Sequence, residues 1–205
     1  MARFDPQDRE RFLRSLNPRR RSLKRGLDAR RLPYAVAIDN PDKETNIGNM
    51  IRTAHSFLCG EFLLIGSPRY QGAGSHGVER FEPMRHFPDR RSFLDWLADS
   101  DYESVAVEIH PEAVRLDRFV FPDRPIFLLG NELYGLDEKL LAACTHKLMV
   151  PQFGLAPCLN VSITCSLVLY AFVTSRFPEL ETGPVRGRKY LVDAGSGRKP
   201  PRSRF

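Results

Sequence analysis

Five short apolar runs set the strongest limit on how this chain can fold. They are rich in Val, Ile and Leu, and apolar residues follow one another almost without interruption at 34–38, 61–66, 104–109, 125–130 and 147–151. Such runs predict strands that are covered on both faces, which is typical of a parallel sheet. Segments with helical spacing lie between or after them, at 46–57, 93–98, 137–143 and 159–176. The alternation predicts an α/β domain with a mostly parallel sheet and helices on both faces.

The basic residues are concentrated at the two ends of the chain. Of 31 Lys and Arg and 25 Asp and Glu in 205 residues, 1–33 holds eleven basic and four acidic residues, and 176–205 holds eight and three. The interval 34–175 therefore holds twelve basic and eighteen acidic residues. We expect a basic N-terminal extension over 1–33, a globular domain over 34–176 and a basic, disordered tail over 177–205.

The basic ends predict an anionic partner. Such segments are commonly solvated, loosely helical arms. In 1–33, however, the arginines are interleaved with Phe and Leu residues, and an amphipathic helix of this composition could grip the phosphates of a nucleic acid. An anionic membrane surface is the less favoured alternative, because the apolar residues are few.

Other features limit the class of protein and its surroundings. Cys59, Cys144, Cys158 and Cys165 match neither a paired zinc-ligand spacing nor a dense disulfide framework, so we expect reduced thiols and no metal site. The longest apolar stretch, 163–173, is too short to span a bilayer, so no membrane segment is expected. Arg and Asp residues interrupt the start of the chain, where a signal peptide would be apolar. The expected location is cytoplasmic.

The stretch GAGSHG at 72–77 spells the G-x-G-x-x-G pattern of dinucleotide-binding proteins. That pattern needs a strand that ends directly before it and a helix that begins on it. Here the preceding strand ends near Gly66, and Pro68 and Pro83 interrupt the two flanks. We interpret the glycines as a flexible surface loop that could contact substrate. A nucleotide-dependent oxidoreductase is therefore not favoured.

Three segments that follow predicted strands carry side chains suited to chemistry, and ligands of parallel sheets bind beyond the carboxyl ends of the strands. Arg52 lies in a largely apolar helix start that Asn46 could cap, and a guanidinium in such a setting usually meets a phosphate or a carboxylate. Glu132 and Gly130 stand at the end of a buried strand. The loop 150–160 has two prolines and a glycine, and its backbone groups could hold a purine ring.

Taken together, these segments resemble the SpoU (TrmH-like) family of the SPOUT methyltransferase superfamily, over roughly 34–176. Each motif alone is weak, but three in order, each after a strand, form a specific pattern. The matching positions are Asn46, Arg52 and Thr53 in NIGNMIRTA, Gly130, Glu132 and Gly135 in GNELYGL, and Pro151, Gly154, Leu159, Asn160, Val161 and Ser162 in VPQFGLAPCLNVS.

The resemblance implies a homodimeric enzyme that transfers a methyl group from S-adenosyl-L-methionine to a ribose 2′-hydroxyl of structured RNA. It also implies a C-terminal deep trefoil knot, in which the loops 128–135 and 148–159 form the cofactor cradle. The catalytic residues that it implies are Arg52, Asn46, Glu132 and Asn160. The cofactor-binding residues that it implies are Gly130, Val150, Leu159, Leu129, Asn131, Met149, Gly154 and Cys158.

Three alternatives stay open from the sequence. A noncatalytic RNA-binding or assembly factor could retain the same fold, although the intact set of polar motif residues favours an enzyme. Among RNAs, tRNA is favoured over rRNA, because the 33 residues of the N-terminal extension cannot contain a separate RNA-binding domain of the ribosomal-protein type. Cys158 stands where the family commonly has Ser, and it is either a near-isosteric replacement or a nucleophile activated at a helix start.

Overall fold

A computed structural model describes residues 2–39, 44–70, 72–131 and 134–181. Within these residues the strands are β1 (Ala2–Arg3), β2 (Ala35–Asp39), β3 (Glu61–Ile65), β4 (Arg69–Tyr70), β5 (Met84–Phe87), β6 (Glu103–Val107), β7 (Val114–Arg115), β8 (Pro125–Leu129) and β9 (His146–Met149). The α-helices are α1 (Pro6–Ser15), α2 (Pro18–Asp28), α3 (Glu44–Ser56), α4 (Gly72–Ser75), α5 (Arg90–Ala98), α6 (Glu138–Ala143) and α7 (Val161–Arg176). Short 3-10 helices occur at Val78–Arg80 and Leu116–Arg118.

The central element is a seven-stranded sheet in the order β5-β3-β2-β8-β6-β9-β7. Each neighbouring pair in this sheet is parallel. The prediction of an α/β domain with a parallel sheet is therefore confirmed, and all five predicted strands are present with ends that differ by one or two residues.

Alternate residues of the inner strands face two separate layers of helices. In β2, Val36 and Ile38 belong to a core that α3 and α7 complete, whereas Ala35 and Ala37 belong to a core that α5 and α6 complete. All residues of β2 and of β8 are buried. Burial on both faces is the physical reason for the nearly continuous apolar runs.

Four strands, at the edges of the main sheet or outside it, escaped prediction because they are short and contain polar residues. β5 reads MRHF and pairs only with β3 within the sheet, and β7 has two residues at the opposite edge. β4 also has two residues and pairs with β1 outside the main sheet. Edge strands need only one covered face, so they lack the apolar signature of the inner strands.

The described part of the N-terminal extension is folded onto the domain rather than forming a solvated arm. β1 pairs with β4, and α1 and α2 follow as two separate helices. Phe4, Leu16 and Leu32 are buried. These residues are therefore not a loose arm, because Phe4 and Leu32 pack in the core of the domain, although Leu23 on α2 is exposed.

A buried ion network fastens this extension to α3. Glu82 has a fully buried carboxylate that accepts hydrogen bonds from Arg31 at 2.8 and 3.1 Å. His55, near the end of α3, binds the same carboxylate through Nδ1. Burial alone would lower the pKa of Arg31, but its hydrogen bonds and charge attraction to Glu82 and Asp28 together outweigh the effect of burial, so the net pKa shift is upward. A paired charge of this kind resists separation, because either partner alone would be a buried unpaired ion.

The GAGSHG segment is not a flexible surface loop, as the sequence had suggested. Its first four residues form α4, which packs against α3. A side chain at Gly74 would place its Cβ 2.9 Å from Asn49 Oδ1 and 3.0 Å from the Asn49 amide nitrogen. The glycine is thus explained by close helix packing, and no phosphate-binding role is needed for it.

The last described helix, α7, begins two residues later than predicted and ends at Arg176 as predicted. The predicted disordered tail, apart from its first residues up to 181, lies outside the described residues. None of the helices in the described ranges is both long and apolar enough to cross a membrane.

Candidate active site

Four neighbouring strands bring the three candidate segments to one edge of the sheet. In the order β2-β8-β6-β9, α3 follows β2, a tight loop follows β8 and a long loop follows β9. The loops after β8, β6 and β9 enclose a cleft of about 710 Å³. This volume is ordinary for a small-molecule site. Apolar lining comes from Leu129, Leu136, Leu141, Val150, Leu159 and Val161, and polar lining includes Glu108, His110, Asn131, Gln152 and Thr164.

Most of the predicted cofactor-binding residues meet in this cleft. Those that line it are Leu129, Gly130, Asn131, Val150, Cys158 and Leu159. Gly154 and Met149 are not among the lining residues of the described chain. Gly154 is exposed with open space where a side chain would be, and Met149 is paired with Arg115 at the end of β9. Met149 is the last residue of β9 and Gly154 lies in the loop that follows, so these two predicted cofactor-binding residues stand beside the cleft-lining segment without lining the cleft.

The loop after β8 is closed by its own backbone. Asn131 and Gly135 exchange two backbone hydrogen bonds, at 2.9 and 2.8 Å. A Cβ atom on Gly130 would lie 2.3 Å from backbone atoms of Gly135 and Leu136. Gly135 has a φ of +71°, a conformation that side chains disfavour. Both glycines of the second motif are therefore required for the shape of the loop.

Glu108, the residue directly after β6, supports this loop through hydrogen bonds. Its Oε2 accepts a hydrogen bond from the Leu136 backbone N–H at 2.8 Å, and its Oε1 accepts one from the Ile109 backbone N–H at 2.9 Å. The sequence reasoning missed Glu108 because it lies outside the three motifs. Its place after an apolar parallel strand was the available signal.

Asn160 caps α7, the helix that leaves the cleft. Its side-chain oxygen accepts hydrogen bonds from the Ser162 backbone N–H at 2.9 Å and from the Ser162 hydroxyl at 2.7 Å. The prediction that Asn160 stands at a helix start is confirmed. Across 152–158, just before it, the described chain shows no backbone–backbone hydrogen bond, and these residues are exposed.

The first and third motifs are in direct contact. The side-chain nitrogen of Asn160 donates a hydrogen bond to Asn46 Oδ1 at 3.1 Å. Asn46 is buried at the start of α3. Farther along the two helices, the hydroxyls of Thr53 and Ser166 lie 3.1 Å apart. Two polar contacts thus align α3 along α7 beside the cleft.

Arg52 lies on the exposed side of α3, away from this contact line. In the described part of the chain its guanidinium forms no ion pair and no hydrogen bond, and it does not line the cleft. Its position six residues beyond Asn46 corresponds to about 9 Å along the helix axis. The guanidinium is therefore available to a ligand that reaches α3 from solvent. Glu132, the remaining predicted catalytic residue, lies outside the described residues.

Cys158 differs from the other three thiols in its surroundings. It is exposed, whereas Cys59 and Cys165 are buried and Cys144 is half-buried. Burial raises the pKa of Cys144 to about 11 and that of Cys165 to about 12. Cys158 precedes the N-cap of α7 by two residues, so it does not occupy the helix start that would activate a thiol. The helix start therefore does not activate this thiol as a nucleophile.

Arg90, the first residue of α5, links the end of β2 to the start of α6. Arg90 donates through Nε to both carboxylate oxygens of Asp39, each at 3.0 Å, and contacts Asp137 at 3.2 Å. The hydrogen bond to Asp39 raises the pKa of Arg90. Asp39 is the buried last residue of β2, and Asp137 caps α6. The three charges therefore hold the ends of two loop-bearing elements together.

These features define an α/β protein with a small-molecule cleft between loops at the carboxyl edge of a parallel sheet. Among the described residues, no group of His, Cys, Asp or Glu is arranged to hold a metal ion. The chain belongs to the SpoU rRNA methylase family, whose sequence model matches residues 33–170.

Individual relatives are distant. The tRNA (guanosine(18)-2′-O)-methyltransferase of Borreliella burgdorferi is 22% identical over 97 residues, which cover 47% of this chain and 44% of that protein. Among solved structures, the TrmH/SpoU tRNA modifying enzyme of Aquifex aeolicus matches with a TM-score of 0.70 and 20% identity, over 78% of this chain and 84% of the other. An AdoMet-bound rRNA methyltransferase from Sinorhizobium meliloti matches with a TM-score of 0.65 and 23% identity, over 75% and 60%. At these identities the structural matches establish the fold.

Substitution of Asn160 separates its two roles. Asn160→Asp keeps an oxygen for the cap but loses the donor to Asn46, and we expect the free energy of unfolding to fall by about 1 kcal/mol. Asn160→Ala loses both and should lower it by about 2 kcal/mol. Urea titration measures both changes. The control Asn17→Asp changes the N-cap of α2, which accepts from the Arg20 amide, and should have little effect. An Asn160→Asp protein as stable as wild type would contradict the role of the inter-helix bond.

Proposed function

We propose that this protein is an S-adenosyl-L-methionine-dependent RNA methyltransferase that acts on a ribose 2′-hydroxyl. The observation that carries the proposal is the 3.1 Å hydrogen bond between Asn46 and Asn160, which joins the first and third family motifs beside the cleft. The family match over residues 33–170 supports the same conclusion. The names of the Borreliella burgdorferi and Sinorhizobium meliloti relatives supply the 2′-O position and the cofactor.

The cleft has the composition that an adenosine requires. Leu129, Val150 and Leu159 offer an apolar surface for a purine, and a polar rim with exposed backbone lies beside it. Main-chain atoms near Gly130, Val150 and Leu159 would hold the adenosine. When bound, S-adenosyl-L-methionine supplies a methyl group on a sulfonium that leaves readily. The protein then contributes mainly alignment of the hydroxyl with that methyl group.

We assign Arg52 to the RNA rather than to proton removal. A guanidinium keeps its proton at any ordinary pH, so it is unsuited to act as a base. It binds phosphate through two parallel hydrogen bonds, which would orient the neighbouring ribose. Its exposure and lack of a partner among the described residues fit this role. Asn46 and Glu132 are proposed to fix the posture of this group.

We further propose that the loops 128–135 and 148–159 form the deep trefoil knot of this family. The support is that both loops line one cleft, and that Gly130 leaves no room for a side chain where its own loop closes. A knotted arrangement would make the cleft rigid, because neither loop could open without moving the other.

The outer face of α7 supports a homodimer. Ile163, Leu167 and Tyr170 are exposed by 50%, 40% and 60%, and their spacing places them on one stripe of the helix. The opposite side of α7 is buried in the core through residues such as Leu169 and Phe172. A helix that is apolar all round is normally covered on all sides. A second copy of the chain, packed on this stripe, would cover it next to the cofactor cleft.

Sedimentation velocity tests the homodimer. We expect the wild-type protein to sediment as a dimer and Leu167→Glu to sediment as a monomer, because a carboxylate on the stripe would be desolvated by the partner. The matched control is Ser175→Glu, which changes an exposed residue near the end of the same helix. A monomeric wild type would contradict the proposal.

Helix α2 offers a fixed surface for RNA phosphates. Arg19, Arg20 and Arg25 are exposed, and none forms an ion pair within the described chain. By contrast, Arg11 and Arg14 of α1 are paired with Asp8 and Glu10. We favour tRNA over rRNA as the substrate, on the strength of the names of the Borreliella burgdorferi and Aquifex aeolicus relatives. A cytoplasmic location stays a prediction from the sequence.

Salt dependence tests this surface without disturbing the buried residues of the extension. Replacement of Arg19, Arg20 and Arg25 by Gln should reduce the slope of log affinity against log salt by about 2 to 3, since each lost phosphate contact removes about 0.7 to 0.9. The control replaces the ion-paired Arg11 and Arg14 by Gln and should change the slope less. An unchanged slope in the triple variant would mean that α2 does not contact RNA.

Incubation with labelled S-adenosyl-L-methionine and separate tRNA and rRNA fractions, followed by nucleoside mapping, tests the activity. We expect label in a 2′-O-methylated nucleoside. Arg52→Lys should keep RNA affinity but slow single-turnover methylation by about a hundredfold, because a point charge orients the ribose poorly. Arg91→Lys, an exposed arginine on α5 at the other face of the sheet, is the control.

The outcomes separate the candidate functions. No transfer to any RNA, together with intact RNA binding, would favour a noncatalytic RNA-binding factor. Near-normal turnover of Arg52→Lys would defeat the role given to Arg52 while leaving the activity itself established.

A further inference from the structure

We propose that Glu108 accepts hydrogen bonds from the ribose hydroxyls of the bound cofactor and thereby selects an adenosine that carries an intact ribose. The inference rests on the proposed function and names a residue outside the three family motifs. Among the described residues that line the cleft, Glu108 provides the one carboxylate.

The position of Glu108 is central to the cleft. It follows β6, and β6 lies between β8 and β9, whose loops form the two walls. Its backbone N–H donates to the Leu148 carbonyl at 2.9 Å, which holds the residue against β9. In parallel α/β sheets, a carboxylate at the end of a strand next to a glycine-containing loop is well placed to bind ribose hydroxyls.

Two backbone hydrogen bonds hold the Glu108 carboxylate in place but do not use all of its acceptor sites. Oε1 accepts from the Ile109 amide at 2.9 Å, and Oε2 accepts from the Leu136 amide at 2.8 Å. Each carboxylate oxygen has two lone-pair sites, so one acceptor site on each oxygen remains. Glu108 is half-buried, and the remaining sites can therefore face the cleft. The two amides hold the acceptor in place before a ligand arrives, which lowers the entropic cost of binding.

The neighbouring glycine lets the loop after β8 pack closely against the Glu108 carboxylate. A Cβ on Gly135 would lie 2.7 Å from Glu108 Oε2. Any side chain at that position would displace the carboxylate. The apolar patch of Leu129, Val150 and Leu159 lies in the same cleft, so a purine on the patch would carry its ribose toward the polar rim that contains Glu108.

A competing role is attraction of the positive sulfonium by the negative carboxylate. The two roles differ in what they discriminate. A ribose acceptor distinguishes ligands by their hydroxyls, whereas a counter-charge distinguishes the cationic S-adenosylmethionine from the uncharged sulfur of S-adenosylhomocysteine.

Calorimetric binding to the full-length protein without RNA provides the test. The ligands are S-adenosylmethionine, S-adenosylhomocysteine and the 2′-deoxyribose and 3′-deoxyribose analogues of S-adenosylhomocysteine. The proteins are wild type, Glu108→Gln, Glu108→Ala and the control Glu112→Gln. Glu112 is an exposed carboxylate that binds Lys147 on the same side of the sheet, so its replacement removes the same charge without touching the cleft.

For wild type and Glu112→Gln, we expect loss of at least one hydroxyl to weaken binding by about ten- to a hundredfold, the range for a hydrogen bond to a charged group. In the two Glu108 variants that penalty should fall to less than about threefold, so that hydroxyl and carboxylate are coupled. A purely structural role for Glu108 would weaken all ligands by the same factor, and that result would overturn the inference.

Two further results are distinguishable. If Glu108→Gln lowers the affinity for S-adenosylmethionine more than that for S-adenosylhomocysteine, with no hydroxyl coupling, the counter-charge role holds and the inference fails. If wild type binds none of these ligands, the proposed function itself fails.

Discussion

One side chain, Asn160, connects the two halves of the candidate site. Its oxygen caps α7 and its nitrogen donates to Asn46, 114 residues earlier in the chain. A primary amide is the side chain that can do both, because it carries an acceptor and a donor on a planar group. Loss of the cap would fray the helix start, and loss of the donor would leave the buried Asn46 without this partner. Together with the contact between the Thr53 and Ser166 hydroxyls, this amide therefore fixes the relation between the cleft and α3, which bears Arg52.

The sequence predicted the inner part of the fold well, and the reasons are physical. β2 and β8 are buried on both faces, so their apolar runs are unambiguous. The edges were not predictable in this way. β5 reads MRHF, and the helical turn at Gly72–Ser75 is stabilised by packing on α3 rather than by its own residues. Short elements depend on tertiary contacts, which local periodicity does not report.

In the candidate site, too, some residues could be predicted from the sequence and others could not. Gly130, Leu159 and Asn160 were predicted from motifs and lie at the cleft or beside it. Glu108 was not, since a lone carboxylate after a strand carries no pattern until the fold shows which loops it faces. The N-terminal extension was misjudged for a related reason. Its charge suggested solvation, but the carboxylate of Glu82, which receives Arg31 and His55, lies more than twenty residues away in sequence from either partner.

The motif glycines, which look equivalent in the sequence, tolerate change to very different degrees. A side chain at Gly154 would face open space, so substitution there meets no steric obstacle. Gly130 faces the backbone of its own loop at 2.3 Å, so even one added methyl group would force Asn131 and Gly135 apart. Glycine is therefore the one amino acid that fits at position 130 in the wall of the cleft. The shape of the cleft therefore excludes side chains at Gly130 and disfavours them at Gly135, whereas it places no steric limit on position 154.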